Sequence, residues 1–94
     1  MRDYSKKIST NEVYEILNML AKQDIEPTIY PGNFLENYFF EDLVNVKIGN
    51  IKPRRFVAIT EDIQGNGKVN YFFQTTDDEE KFEQISNMYF KNGY

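Results

Sequence analysis

Hydrophobic residues recur every three or four positions near both ends of the chain, which is the spacing of one buried face on an α-helix. The first repeat predicts a helix at about residues 10–23. Ser9 and Glu12 stand at its start in the S-x-x-E arrangement of a capping box, in which each side chain accepts a hydrogen bond from the other residue's backbone N–H. The buried stripe of this helix is predicted to consist of Val13, Ile16, Leu17 and Leu20.

The second repeat lies at the C-terminal end. Residues 76–79, Thr-Asp-Asp-Glu, fit another capping box that starts at Thr76. Lys91 falls in the predicted last turn, and Gly93 is typical of a residue that ends a helix. The predicted buried stripe consists of Phe82, Ile85, Met88 and Tyr89.

Alternation of apolar and polar residues predicts strands between the two helices. Residues 44–48 alternate Val and Ile with Asn and Lys, and Gly and Asn at 49–50 predict a hairpin turn after them. Two longer strands are predicted at 55–62 and 68–75.

Three other segments carry weaker signals. Residues 25–30 favour an extended structure but contain Pro27, which has no N–H to donate, so we expect an edge strand or a connector there. Residues 34–43 fit a short helix or a turn-rich segment better than a strand, because Glu36 interrupts the alternation. Residues 1–8 are polar, and we expect them to be frayed.

The loop between the two longer strands permits a prediction of register. A two-residue turn at 66–67 would place Ile59 opposite Gln74, whereas a three-residue loop at 65–67 places apolar residues opposite one another. Gly67 also suits the left-handed position that closes a three-residue loop. We therefore predict the three-residue loop, with the pairs Ile63–Val69, Ile59–Phe73 and Val57–Thr75.

These elements predict an α+β fold: a small antiparallel sheet of three to four strands, covered on one face by an N-terminal and a C-terminal helix, in a single compact domain at 1–94. Phe72 and Phe73 must point to opposite faces of this sheet. The second face is therefore either covered by residues 34–43 or left open as an aromatic surface. The sequence leaves both alternatives open.

The composition excludes most catalytic chemistry. The 94 residues contain no His and no Cys, so imidazole catalysis, thiolate nucleophiles and thiolate metal sites are excluded. No glycine-rich phosphate-binding motif is present. We expect a protein that is not an enzyme, has no catalytic residues and needs no metal or cofactor. No apolar run approaches the roughly 18 residues of a membrane span, so we expect a cytoplasmic protein without a membrane partner.

The strongest charge feature is an acidic run in a chain whose net formal charge is −4. As a functional surface, these carboxylates would imitate the phosphates of a nucleic acid and bind a protein with a basic surface. As a structural feature, they would cap the second helix and stabilise its dipole. The run consists of Asp77, Asp78, Glu79, Glu80 and Glu83.

A second candidate surface combines aromatic and basic residues. The basic cluster between Lys47 and Arg55 is suited to binding phosphate or carboxylate groups, and it is equally typical of charges that protect a sheet edge from association. Aromatic residues are abundant on both sides of this cluster along the chain. The residues predicted to bind a partner here are Phe72, Tyr38, Phe40, Arg54 and Arg55.

The favoured hypothesis is a small acidic protein-binding module. Its size, charge and hairpin-then-helix end resemble the small acidic proteins of phages and mobile elements, which include inhibitors of CRISPR nucleases. That resemblance implies an inhibitor, and a DNA mimic, directed at a nucleic-acid-binding protein. One alternative is a structural protein that forms a homo-oligomer, and the other is a weak nucleic-acid binder that uses the Lys47–Arg55 cluster. Nucleic-acid binding is the less favoured of the two because the chain is acidic. The sequence leaves open whether the chain is a monomer or a homodimer.

Overall fold

The computed structural model describes residues 4–92 and places five antiparallel strands in one sheet, in the order β1-β5-β4-β3-β2. The α+β class is confirmed, but the sheet has one strand more than the predicted maximum of four. In chain order the elements are β1 (Tyr4–Ile8), α1 (Thr10–Ala21), β2 (Thr28–Pro31), β3 (Glu36–Phe40), β4 (Phe56–Ile63), β5 (Val69–Thr76) and α2 (Glu79–Asn92).

The two helices pack on opposite faces of the sheet, so the prediction that both cover one face is wrong. The stripe of α1 packs in one core cluster with Val57 and Ile59 of β4. Phe82 of α2 packs in another cluster with Phe56 and Ala58 of the same strand. Since neighbouring residues of a strand point to opposite faces, β4 is buried on both sides. The larger core lies under α1, and its buried residues are Ile8, Val13, Ile16, Leu20, Tyr38, Phe40, Leu43, Val46, Ile48, Val57, Ile59, Tyr71 and Phe73.

The β4–β5 hairpin has the predicted register. Ile63 pairs with Val69, Ile59 with Phe73, and Val57 with Thr75. Gln64 donates its backbone N–H to the Lys68 carbonyl at 2.8 Å, and Gly67 closes the loop with a φ of +84°. Turn geometry and hydrophobic alternation both require this register, which is why the sequence predicts it correctly.

Two segments form strands that the sequence pattern does not predict. Within residues 34–43 the central part is strand β3, not a helix. Its aromatic residues Tyr38, Phe39 and Phe40 are all buried, because both faces of the strand are covered, and such a strand shows no alternation. Tyr4–Ile8 is not frayed but forms the edge strand β1 against β5. Residues 1–3 lie outside the described part of the chain.

Residues 44–48 form a loop rather than the predicted strand. Asp42, Asn45 and Gly49 have positive φ angles of 53°, 56° and 59°, which interrupt an extended backbone. The predicted turn at 49–50 is present, because Ile48 and Ile51 form an isolated bridge across it. The loop contributes Leu43, Val46 and Ile48 to the core under α1.

The capping box at the start of α1 is confirmed. Glu12 donates its N–H to the Ser9 hydroxyl and Ser9 donates its N–H to the Glu12 carboxylate, both at 3.2 Å. In α2, Met88 is 60% exposed and is not part of the buried stripe, whereas Phe82 is buried. Gly93 and the side chain of Lys91 lie outside the described part of the chain. No helix among residues 4–92 combines the length and the apolar character that crossing a membrane requires.

Candidate functional site

The acidic run divides into residues that build the start of α2 and residues that do not. Thr76 accepts a hydrogen bond from the Asp78 N–H at 3.0 Å, and the Asp78 carboxylate accepts one from the Lys81 N–H at 3.2 Å. Asp78 therefore occupies the N-cap position, and the helix begins at Glu79. The prediction that the helix cap starts at Thr76 is therefore wrong, because the N-cap residue lies two positions later.

Asp77 connects the start of α2 to the start of β4. Its carboxylate lies 3.3 Å from Nη1 of Arg54 and accepts the backbone N–H of Arg55 at 3.1 Å. Nε and Nη2 of Arg54 are buried and have no hydrogen-bond partner within residues 4–92. Asp77 is the carboxylate that compensates this charge in the described part of the chain, so it contributes to the fold.

The remaining three acidic residues, Glu79, Glu80 and Glu83, are exposed. Within residues 4–92, no ion pair or hydrogen bond engages their carboxylates. All three lie in the first five residues of α2, and Glu79 and Glu83 are one turn apart on the same face. We call these three residues the acidic patch.

The predicted basic cluster is partly neutralised by the chain itself. Arg55 donates from Nε to Asp42 at 2.8 Å and lies 4.8 Å from the centre of the Phe56 ring. The hydrogen bond to Asp42 raises the pKa of Arg55 further above its usual value. Lys47 and Lys52 are exposed beside a shallow depression of about 270 Å³ next to Pro53. Because Arg54 and Arg55 face carboxylates, the cluster presents less positive charge than its sequence indicates.

The structure does not bring the predicted aromatic residues together on a surface. Tyr38 and Phe40 are 7% and 1% exposed and lie in the core under α1. Phe72 is half-buried on the opposite face, where the ammonium of Lys7 lies 5.4 Å from its ring centre. Phe40 therefore has almost no exposed surface to offer a partner, and Tyr38 offers only the small part that reaches a depression beside α1.

Sequence reasoning missed a clamp formed by Glu61. Its carboxylate accepts the backbone N–H groups of Asn33, Phe34 and Leu35 at 2.7, 2.9 and 2.8 Å. A Cβ atom at Gly32 would overlap the Glu61 carboxylate and the Leu35 carbonyl, so the loop requires glycine there. The signal available in the sequence was the Pro31-Gly32 pair, but nothing local connects that pair to a glutamate almost thirty positions away.

The two tyrosines near this clamp, Tyr38 and Tyr71, are not ionised. Burial, followed by the charges of neighbouring groups, raises the pKa values of Tyr38 and Tyr71, so both phenols are neutral at physiological pH. Tyr71 donates its hydroxyl to the Glu36 carbonyl at 2.8 Å. Within residues 4–92, no three acidic side chains are grouped in a way that suits a metal ion.

Comparison with models of protein families, with curated proteins and with solved structures finds no match to this chain.

Proposed function

We propose that the chain is a small, non-enzymatic protein-binding module whose acidic patch binds the basic, nucleic-acid-contacting surface of another protein. The observation that carries the proposal is the division of the acidic run: the carboxylates of Asp77 and Asp78 hold backbone and side-chain groups of the fold, whereas those of Glu79, Glu80 and Glu83 form no hydrogen bond or ion pair in the described chain. Because these three carboxylates form no hydrogen bond or ion pair there, they are available to a partner, even though Glu79 and Glu80 also stabilise the first turn of α2.

The spacing of the patch supports phosphate mimicry. Glu79 and Glu83 are four residues apart, which is about 6 Å along the helix axis, so the three carboxylates have a mean axial spacing of roughly 3 Å. Duplex DNA carries about one charge per 1.7 Å of its axis, and a single strand about one per 3.4 Å. A protein surface that binds either form will therefore meet a similar charge density on α2.

The net charge of −4 supports the same proposal, because it attracts basic surfaces and repels nucleic acid. The pairing of Arg54 with Asp77 and of Arg55 with Asp42 makes direct nucleic-acid binding the weaker alternative. In its specific form, the proposal is that the chain inhibits an enzyme that acts on nucleic acid. An example is a CRISPR nuclease in the cytoplasm, inhibited by a protein of a phage or mobile element.

The test is affinity capture from cells of the source organism with the immobilised chain. We expect the captured protein to bind nucleic acid and to be released by added duplex DNA. The triple variant Glu79→Gln, Glu80→Gln, Glu83→Gln should bind this protein about 10- to 100-fold more weakly, since exposed ion pairs contribute up to about 1 kcal/mol each.

The matched control is the triple variant Glu15→Gln, Glu26→Gln, Glu41→Gln, which removes the same charge from exposed residues elsewhere. It should bind like the unmodified chain. An equal loss of affinity in both variants would show that binding depends on net charge alone and not on the acidic patch. Capture that ignores both the acidic patch and added DNA would refute the proposal.

A further inference from the structure

A second surface lies on the α1 face of the sheet, away from the acidic patch. It is a groove of about 380 Å³ between α1 and the β2–β3 hairpin, and Tyr14, Ile29, Phe34, Glu36 and Tyr38 are among the residues that line it. Tyr14 comes from α1, Ile29 from the edge strand β2, and Phe34 from the hairpin loop. The groove is thus assembled from three separate elements.

The groove is bordered by large apolar side chains that remain in contact with solvent. Tyr14, Ile29 and Phe34 are 54%, 48% and 65% exposed. Single exposed apolar residues are common on protein surfaces, but several around one depression are typical of an interaction site. The buried Tyr38 also lines this depression.

The loop that carries Phe34 is held in place before any partner arrives. The Glu61 carboxylate accepts three consecutive N–H groups of the loop, and Gly32 donates its own N–H to the Leu35 carbonyl at 2.7 Å. An exposed aromatic side chain on a fixed backbone loses little conformational entropy on binding. This preorganisation distinguishes Phe34 from an apolar residue on a mobile loop.

The charge of the groove indicates the chemistry of its occupant. Glu36 is the one charged residue among those that line it in the described chain. After burial, the charge of Glu36 is the next cause of the raised pKa of Tyr38, so its field reaches the buried phenol. A carboxylate that lines the same groove as the aromatic rings of Tyr14 and Phe34 suits a guanidinium, which pairs with carboxylates and stacks on aromatic rings.

The backbone beside the groove indicates how the occupant binds. The edge strand β2 has Pro31 within it and follows Pro27, so two of these five positions have no N–H to offer an added strand. Recognition therefore rests on side chains inserted into the groove.

We propose that this groove binds a segment of a protein partner that carries an arginine next to aliphatic or aromatic residues. The proposal is independent of the acidic patch, because the groove and α2 lie on opposite faces of the sheet.

The test is a nuclear magnetic resonance titration of the ¹⁵N-labelled chain with three capped hexapeptides. The first alternates isoleucine and arginine, the second replaces arginine with glutamate, and the third replaces isoleucine with serine. We expect saturable amide shifts at Tyr14, Ile29 and residues 33–36 with the first peptide. The second and third should bind at least about tenfold more weakly.

Variants distinguish binding in this groove from nonspecific hydrophobic binding. Phe34→Ser should weaken binding of the first peptide about tenfold, whereas Val44→Ser, which alters an even more exposed apolar residue outside the groove, should leave it unchanged. Glu36→Gln should narrow the difference between the arginine and glutamate peptides. These results would stand even if the acidic patch had no partner.

Three results would overturn the proposal. The first is equal binding of all three peptides. The second is a set of shifts confined to the acidic patch. The third is line broadening that grows with chain concentration in the absence of peptide and disappears in Phe34→Ser, because a second copy of the chain would then occupy the groove.

Discussion

Replacing Glu61 with glutamine tests whether one carboxylate fixes the β2–β3 loop. The native side chain accepts three N–H groups at 2.7 to 2.9 Å. Glutamine retains one acceptor oxygen, loses the charge and turns an NH2 group toward one of those donors. Hydrogen bonds to a charged group contribute about 1.5–3 kcal/mol when shielded from water and less when exposed.

Two of the three bonds are exposed and one is partly buried. Losing one bond and weakening two should therefore lower the free energy of unfolding by about 2 kcal/mol. For a domain of this size, such a change lowers the melting temperature by roughly 10 °C. Thermal and urea unfolding followed by circular dichroism will measure both quantities.

Glu41→Gln is the matched control, because the Glu41 side chain is exposed and accepts no hydrogen bond within residues 4–92. It should change the melting temperature by no more than about 2 °C. Hydrogen exchange at residues 33–35 should accelerate in Glu61→Gln alone. A melting temperature equal to that of the control, with unchanged exchange, would show that the loop holds its conformation without the clamp.

Three further changes test other parts of the fold. Ser9→Ala removes one half of the α1 capping box and should cost about 1 kcal/mol in urea unfolding; an unchanged midpoint would contradict this. Folding raises the pKa values of Tyr38 and Tyr71, so the folded state keeps their protons to higher pH than the unfolded state does. The contribution of these two phenols to stability should therefore be complete below about pH 10 and be lost as the pH rises further. Tyr71→Phe should reduce the alkaline fall in stability that urea unfolding measures between pH 8 and 11. Gly67→Ala places a side chain at a φ of +84° and should lower the unfolding free energy by about 1 kcal/mol, whereas Gly65→Ala, at a position without positive φ, should have a smaller effect on thermal unfolding.

Sequence reasoning succeeds where several local signals require the same structure. The register of β4 and β5 follows from turn chemistry and alternation together, and the start of α1 follows from a capping motif beside an apolar stripe. It fails at β3, because a strand buried on both faces loses the period of two by which strands are detected. Which face of the sheet each helix covers depends on packing between distant segments, so local patterns do not predict it. The opposite directions of Phe72 and Phe73 required only that both faces of the sheet be covered or that one of them expose an aromatic surface.

The candidate sites show the same limit. The acidic run is visible in the sequence, but its division is not, because the role of Asp77 depends on where Arg54 lies in the fold. The burial of Tyr38 and Phe40 follows from strand β3, which the sequence pattern did not predict. The Glu61 clamp joins residues separated by 26 to 28 positions, a distance that no local motif encodes.

The position of β1 has a consequence for the order in which the chain folds. Among the strands of residues 4–92, β1 pairs with β5 alone, so Tyr4 meets Thr75 and Ile8 meets Tyr71, across more than 60 residues of intervening chain. During synthesis on a ribosome, β1 emerges before β2, β3, β4 and β5 and lacks its partner strand until β5 has been made. The β4–β5 hairpin, in contrast, closes over a three-residue loop and can form as soon as it emerges. Although β1 precedes the other four strands of the sheet, it thus completes the sheet late, and until then the open edge of β5 is available for pairing with another chain.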